Sequence, residues 1–178
     1  MKLPLSVIPL ALCLFTAPAL AQSGSSPVSD ALRSLAERNG RDLAAAAEDM
    51  PAGKYGFKPT PAQMSFGDVI AHLSAGNDYL CSNIAGVPAP KSPELKGDAP
   101  KAKLVPLLKE SFRFCQSALA KVDDSKLDQK LPFFGEQQLS RAAVMFATAQ
   151  DWADHYSQLA NYLRLNGLLP PTAKRKEE

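Results

Sequence analysis

Apolar residues recur at steps of three and four in four separate stretches between Val28 and Gly167, and that period predicts helices. The first runs from Val28 to Met50, with Leu32, Leu35, Leu43 and the Ala44–Ala47 run on a narrow apolar face. Gly40 weakens its middle by about 1 kcal/mol relative to alanine. The second opens at Ser65-Phe66-Gly67-Asp68, a capping box in which Asp68 takes the place usual for glutamate. It continues to about Ile84, with Phe66, Val69, Ile70, Leu73, Leu80 and Ile84 on one face. The third covers Lys101 to Lys121 and turns Leu104, Leu107, Leu108, Phe112, Cys115, Ala118 and Leu119 inward. Pro106 fits it without strain only if the helix proper begins near Val105, and otherwise marks a bend. The fourth runs from an N-cap at Ser140 to a stop at Gly167, Pro170 and Pro171. At about 1.5 Å per residue it would be about 39 Å long.

Two segments rich in proline and glycine, PAGKYGFKPTPAQM (51–64) and VPAPKSPELKGDAP (87–100), separate the helices as loops. A connector, VDDSKLDQKLPFFGEQQL, precedes the fourth helix, and its LPFFG either pairs as a short strand or packs as an apolar plug. With no sustained strand alternation, the expected fold is all-α, an up-down four-helix bundle. There is no GxGxxG, P-loop, GxSxG or internal repeat, which removes the commonest nucleotide-binding and hydrolase signatures.

The opening residues change the picture. MKLPLSVIPLALCLFTAPALA, residues 1–21, reads as a cleaved signal peptide: Lys2 is its positive end, Leu3 to Phe15 its apolar run, and Ala19-Leu20-Ala21 its cleavage site before Gln22. The run is shorter than the roughly 18 residues of a membrane span, and no later segment qualifies. The expected product is periplasmic or secreted, with the bundle over residues 22–171 and a solvated, disordered charged tail over 172–178. Loss of Lys2 lowers the formal net charge by one from +2, too near neutral for a nucleic-acid binder driven by counterion release. Cys13 leaves with the leader. Cys81 and Cys115 remain, and in an exported chain they invite a disulfide. The alternative is a pair of buried free thiols.

Val144, Thr148, Asp151, His155, Leu159 and Tyr162 share one seam of the fourth helix. Such a seam should face the core, so Asp151 and His155 need a partner, because an unpaired buried charge costs several kcal/mol. The only other histidine, His72, stands at the margin of the second helix's apolar stripe. Two imidazoles and a carboxylate converging from helices two and four would leave open positions for water and substrate, as catalytic metal sites require. That donor set suits zinc, nickel, manganese or iron(II). Spacing alone fits an ordinary Asp151–His155 pair at least as well, worth a few tenths of a kcal/mol on a helix surface. Gln158, one turn past His155, can orient a ligand or stand as a polar residue at the bundle edge. Trp152 and Asp154 take the opposite side, Trp152 for packing and Asp154 in solvent.

The frame SFGDVIAHL around His72, the lead-in KYGFKPTPAQMSFGD and the run DWADHYSQLANYLRLNGLLPP resemble the DinB-like superfamily of four-helix bundles. The resemblance covers nearly the whole chain beyond the leader. It implies a metal site of three histidines, one on the second helix and an HxxxH pair on the last. His72 matches the first position and His155 the last, whereas Asp151 stands where histidine is usual. Members include bacillithiol- and mycothiol-dependent transferases and isomerases, and many have no known activity. The implied function is a divalent-metal-dependent enzyme, transferase-like with a thiol or hydrolytic, that activates a bound water or thiol toward a small-molecule substrate. Export weighs against the thiol version, because low-molecular-weight thiols are mainly cytosolic. The competing expectation is a non-catalytic helical module that binds a ligand or partner, or forms a homodimer, with Asp151 and His155 as a structural pair. A role in DNA repair finds no support in the charge or the export signal.

Overall fold

A computed structural model describes residues 25–174, so the leader predicted over 1–21 and the tail residues 175–178 lie outside the described residues. The described chain is mostly helical: α1 (Pro27–Asp49), α2 (Phe66–Ala85), α3 (Lys101–Leu119), β1 (Lys130–Pro132), β2 (Gln138–Ser140), α4 (Arg141–Leu165) and α5 (Pro171–Lys174). Two short 3₁₀ turns, Ala52–Lys54 and Asp124–Lys126, complete it. Each long helix packs on two others: α2 on α3 and α4, and α1 on α3 and α4.

Local chemistry sets the ends of α2 and α4. The Ser65 hydroxyl accepts from the Asp68 N–H at 3.1 Å while the Asp68 carboxylate accepts from the Ser65 N–H at 3.1 Å, which satisfies two donors that a helix start leaves orphaned. Gly86, at φ 65°, takes the left-handed cap that ends α2. Ser140 caps α4 by accepting from the Ala143 N–H. The start of α1 uses a remote cap. Asp124 accepts from the backbone N–H groups of Val28 and Ser29 at 3.0 and 2.9 Å, and from the Ser29 hydroxyl at 2.6 Å. Arg33 answers by donating to the carbonyls of Leu119, the last residue of α3, and Val122 just beyond it.

The core is built from the predicted faces. Phe66, Val69, Ile70, Leu73 and Ile84 of α2, Leu104, Leu108 and Cys115 of α3, and Leu43 and Ala46 of α1 are all fully buried. Gly40 brings α1 close to α3: a Cβ there would stand 3.0 Å from the Phe112 ring. Pro106 lies inside α3, five residues beyond its start, on the exposed side where water can satisfy the carbonyl that its missing N–H leaves free. Cys81 and Cys115 form a disulfide that ties α2 to α3, with Cα atoms 5.2 Å apart.

Three features differ from expectation. LPFFG both pairs and packs: Leu131 stands opposite Leu139 in the antiparallel β1–β2 ladder, Phe133 rests on the core, and the Phe134 ring lies 5.2 Å from that of Tyr79. Residues 172–174, placed in the predicted tail, belong to α5. Thr172 donates its N–H to the Tyr156 hydroxyl at 3.0 Å, and Lys174 pairs with Asp49 at 2.8 Å, so α5 is held against α1 and α4. Finally, Trp152 packs and Asp154 is exposed as expected, but the side of α4 opposite the predicted seam is itself partly core, with Trp152 fully buried. Because α4 packs on α1 with one flank and on α2 with the other, its buried arc is wider than a single seam. Asp151 consequently sits at the edge of that arc.

Candidate metal centre

His72 lies in the second turn of α2, and Asp151 and His155 lie one turn apart on α4. The packing of α2 against α4 brings the three together. Asp151 Oδ1 stands 3.4 Å from His155 Nε2 and 3.8 Å from His72 Nε2, and the imidazole rings meet edge to face with centroids 4.9 Å apart. One donor atom from each residue lies within 4.8 Å of the other two. Among the described residues no other group of three histidine, cysteine or acidic side chains is close enough to share an ion. The site opens to solvent on one side: the His155 side chain is 15% exposed, Asp151 29% and His72 46%.

A chain of hydrogen bonds behind His155 fixes its ring. The Tyr162 hydroxyl donates to the Met64 carbonyl at 2.9 Å, so its oxygen accepts from Gln158 Nε2 at 2.8 Å. That turns Gln158 Oε1 toward His155 Nδ1, at 3.1 Å, where an acceptor requires Nδ1 to carry the proton. The lone pair of the neutral ring is then on Nε2, the nitrogen that faces Asp151 and His72.

Charge supplies a competitor for that lone pair, because Asp151 favours a proton on the same nitrogen, and an ion would have to displace that proton. Burial pushes the Asp151 carboxyl up, but the neighbouring imidazoles of His155 and His72 outweigh it and hold the group well below the usual carboxylate range. Burial pushes the His155 imidazole down, and the hydrogen bond and charge of Asp151 reverse that, so the ring is raised.

These residues fit a divalent ion. Two donors bonded to one ion at about 2.1 Å can stand at most about 4.2 Å apart, which both Asp151–histidine pairs satisfy. His72, half exposed, has room to turn inward. The set of two imidazoles and one carboxylate, with the tautomer of one ring fixed from behind, is the donor chemistry of a site that keeps positions open.

The described residues 35–159 match the family model of the DinB superfamily. The chain belongs to the DinB superfamily. Solved structures agree on the fold. A DinB-like protein from Bacillus subtilis, 17% identical, superposes with a TM-score of 0.62 over 77% of this chain and 92% of that one. A conserved protein from Enterococcus faecalis, 15% identical, does so with a TM-score of 0.62 over 78% and 96%. The mycothiol-dependent maleylpyruvate isomerase, 12% identical, has a TM-score of 0.59 over 74% of this chain, which spans only 60% of the isomerase. Among curated proteins, none matches the sequence.

Within this DinB fold, two residues of structural weight escaped the sequence. Gln158 reads from the sequence as a group able to orient a ligand, but its partner Tyr162 reads only as a core residue; the spacing of four between them was the available signal. Met64, which anchors the relay through its carbonyl, lies 98 residues from Tyr162 and left no local trace.

Proposed function

We propose that this DinB-superfamily protein is an exported up-down four-helix bundle that holds one divalent metal ion on His72, Asp151 and His155. The reading extends to catalysis on a small molecule, thiol transfer or hydrolysis. The observation that carries it is the Met64–Tyr162–Gln158–His155 relay, which turns His155 Nε2 toward Asp151, the carboxylate that lies beside both histidines. A pair of helix-surface residues worth a few tenths of a kcal/mol would not need a ring oriented from behind by three successive groups.

A bound ion would supply Lewis acidity and lower the pKa of a water or thiol, as metal catalysis requires. The chain's own residues do the rest. Asp151 contributes negative charge at the mouth of the site, and Gln158 keeps the His155 ring from turning its protonated nitrogen inward. His72, on a different helix, can move without disturbing the α4 pair. A polar cleft of about 580 Å³ shares Gln158 and Tyr162 with the relay and carries Gln63, Ser157, Asn161 and Arg164, groups able to hold a polar substrate. The mycothiol-dependent isomerase with the same fold supports thiol chemistry, whereas the disulfide between α2 and α3 supports an oxidising compartment and so favours hydrolysis.

Protein purified without a histidine tag and stripped with chelator should bind one equivalent of Zn²⁺, Ni²⁺, Mn²⁺ or Fe²⁺ and melt at a higher temperature. His155→Ala should lose both effects. If the variant retains the stoichiometry, or if no ion binds the parent, the metal reading fails and a ligand-binding helical module is left. Mass spectrometry of exported, unreduced and alkylated protein should find cleavage before Gln22 and no labelled thiol.

A further inference from the structure

On the flank of α2 that faces α3, away from the His72 site, the loop 87–100 closes over a cleft of about 330 Å³. Asp78 stands in its wall, only 8% exposed, and its Oδ1 is buried with no hydrogen-bond partner. The rest of the lining is mostly apolar, with Ala71, Leu95 and Leu107 among it, and Glu94 is its second acid. Among the described residues no lysine, arginine or histidine lines it. A buried carboxylate oxygen without a donor is costly, and folded proteins rarely leave one so. Burial pushes the Asp78 carboxyl up, the Ser92 hydroxyl draws it down, and the charge of Glu110 adds to the upward push. A positive group delivered to Oδ1 would relieve that burden.

We propose that this cleft binds a small organic ammonium ion, with its charged head on Asp78 and its hydrocarbon part against Ala71, Leu95 and Leu107. Size is appropriate, since ligand clefts begin at about 300 Å³. A divalent metal ion fits poorly, because it seeks six or more oxygen ligands and the walls are mostly apolar. An anion would meet two carboxylates and no counter-charge. Tyr79, also in the wall, is an aromatic side chain of the kind that attracts cations. Nothing here depends on an ion at His72, and chelation should leave this site intact.

The probe is n-butylammonium, with 1-butanol as the neutral ligand of equal chain length, each titrated into the labelled protein at constant ionic strength. Amide shifts should saturate and cluster at Ala75, Asp78, Ser92 and Leu95, and the alcohol should bind about tenfold more weakly. Asp78→Asn keeps the shape, removes a buried charge and should erase the preference for the ammonium ion without lowering the melting temperature. Ala75→Leu, at an exposed position of the rim, should abolish the shifts even if the Asn variant does not fold. Equal binding of the two probes, shifts scattered over the acidic surface, or an ammonium preference that survives Asp78→Asn would overturn the assignment.

Discussion

The Trp152 indole donates its N–H to Asn77 Oδ1 at 2.7 Å, and both residues are buried. Asn77 lies on α2 five residues after His72, and Trp152 directly follows Asp151 on α4. One bond therefore fixes the register of the two helices that carry the candidate ligands. Asn77 Nδ2 donates onward to Ser111 Oγ at 2.9 Å, and Ser111 to the Leu108 carbonyl at 2.8 Å, so a satisfied polar path crosses from α4 through α2 to α3.

Asn77→Ala should break that path. The indole N–H would be buried without an acceptor, and desolvated donors left this way cost about 1–3 kcal/mol each. The expected loss is about 2–3 kcal/mol in urea unfolding with an unchanged slope, accompanied by weaker metal binding as α2 and α4 lose register. Equal unfolding midpoints in parent and variant would show that the clamp contributes nothing.

Asp151→His restores the HxxxH spacing that the family resemblance implies. It replaces a hard, charged oxygen with a second imidazole on α4, which suits nickel and zinc better than manganese. One equivalent of metal should still bind, while the preference for Ni²⁺ over Mn²⁺ should rise by about tenfold in competition titrations. A variant with an unchanged preference would mean that Asp151 is no ligand.

Asp124, the remote cap of α1, predicts a pH dependence. Burial pushes its carboxyl up, but the Ser29 hydroxyl, the N–H groups of Val28 and Ser29, and the Arg33 charge hold it below the ordinary range. A group depressed in the folded state stabilises fully above the unfolded value of about 3.9, and that contribution disappears as pH falls through the lower folded value. Asp124→Asn should therefore melt earlier than the parent at pH 7, with the gap narrower at pH 3. Thermal unfolding at both values decides, and a gap that ignores pH would assign the cap to shape rather than charge.

How much of this was legible depends on the range of each interaction. The ends of α2 and α4 could be read because Ser65 with Asp68, Ser140, Gly86 and Gly167 act on neighbours within a few residues. The meeting of His72, Asp151 and His155 was legible because there are only two histidines and one is a turn from an acid. Trp152 could be read as a packing residue, but the width of the buried arc could not, since periodicity locates a seam and only the packing of α1 and α2 on either side of α4 determines how far it extends. The Met64 carbonyl and the Asp124 cap were invisible for a related reason: each acts across more than ninety residues of chain, on groups that carry no distinctive side-chain pattern.

Gly67 is a case in which two physical rules predict opposite signs. It occupies the second position of α2, where alanine is the better helix former by about 1 kcal/mol. Yet a Cβ on Gly67 would lie 2.1 Å from the Gly97 carbonyl oxygen, and one on Gly97 would lie 2.3 Å from the Asp68 backbone nitrogen. Both obstructions are backbone, so no rotamer change relieves them, and overpacking of this kind costs about 1–3 kcal/mol or more. The clash should win. Gly67→Ala is expected to lower stability by about 2 kcal/mol and to disturb the Ser65–Asp68 capping box that sets the start of the helix carrying His72. Gly53→Ala, where nothing lies within 4 Å, is the matched control and should be neutral or stabilising by up to about 1 kcal/mol. Urea unfolding of the two variants beside the parent separates the effects: a Gly67→Ala protein as stable as the control would show that the loop around Gly97 yields freely, and that the close approach does not hold α2 in place.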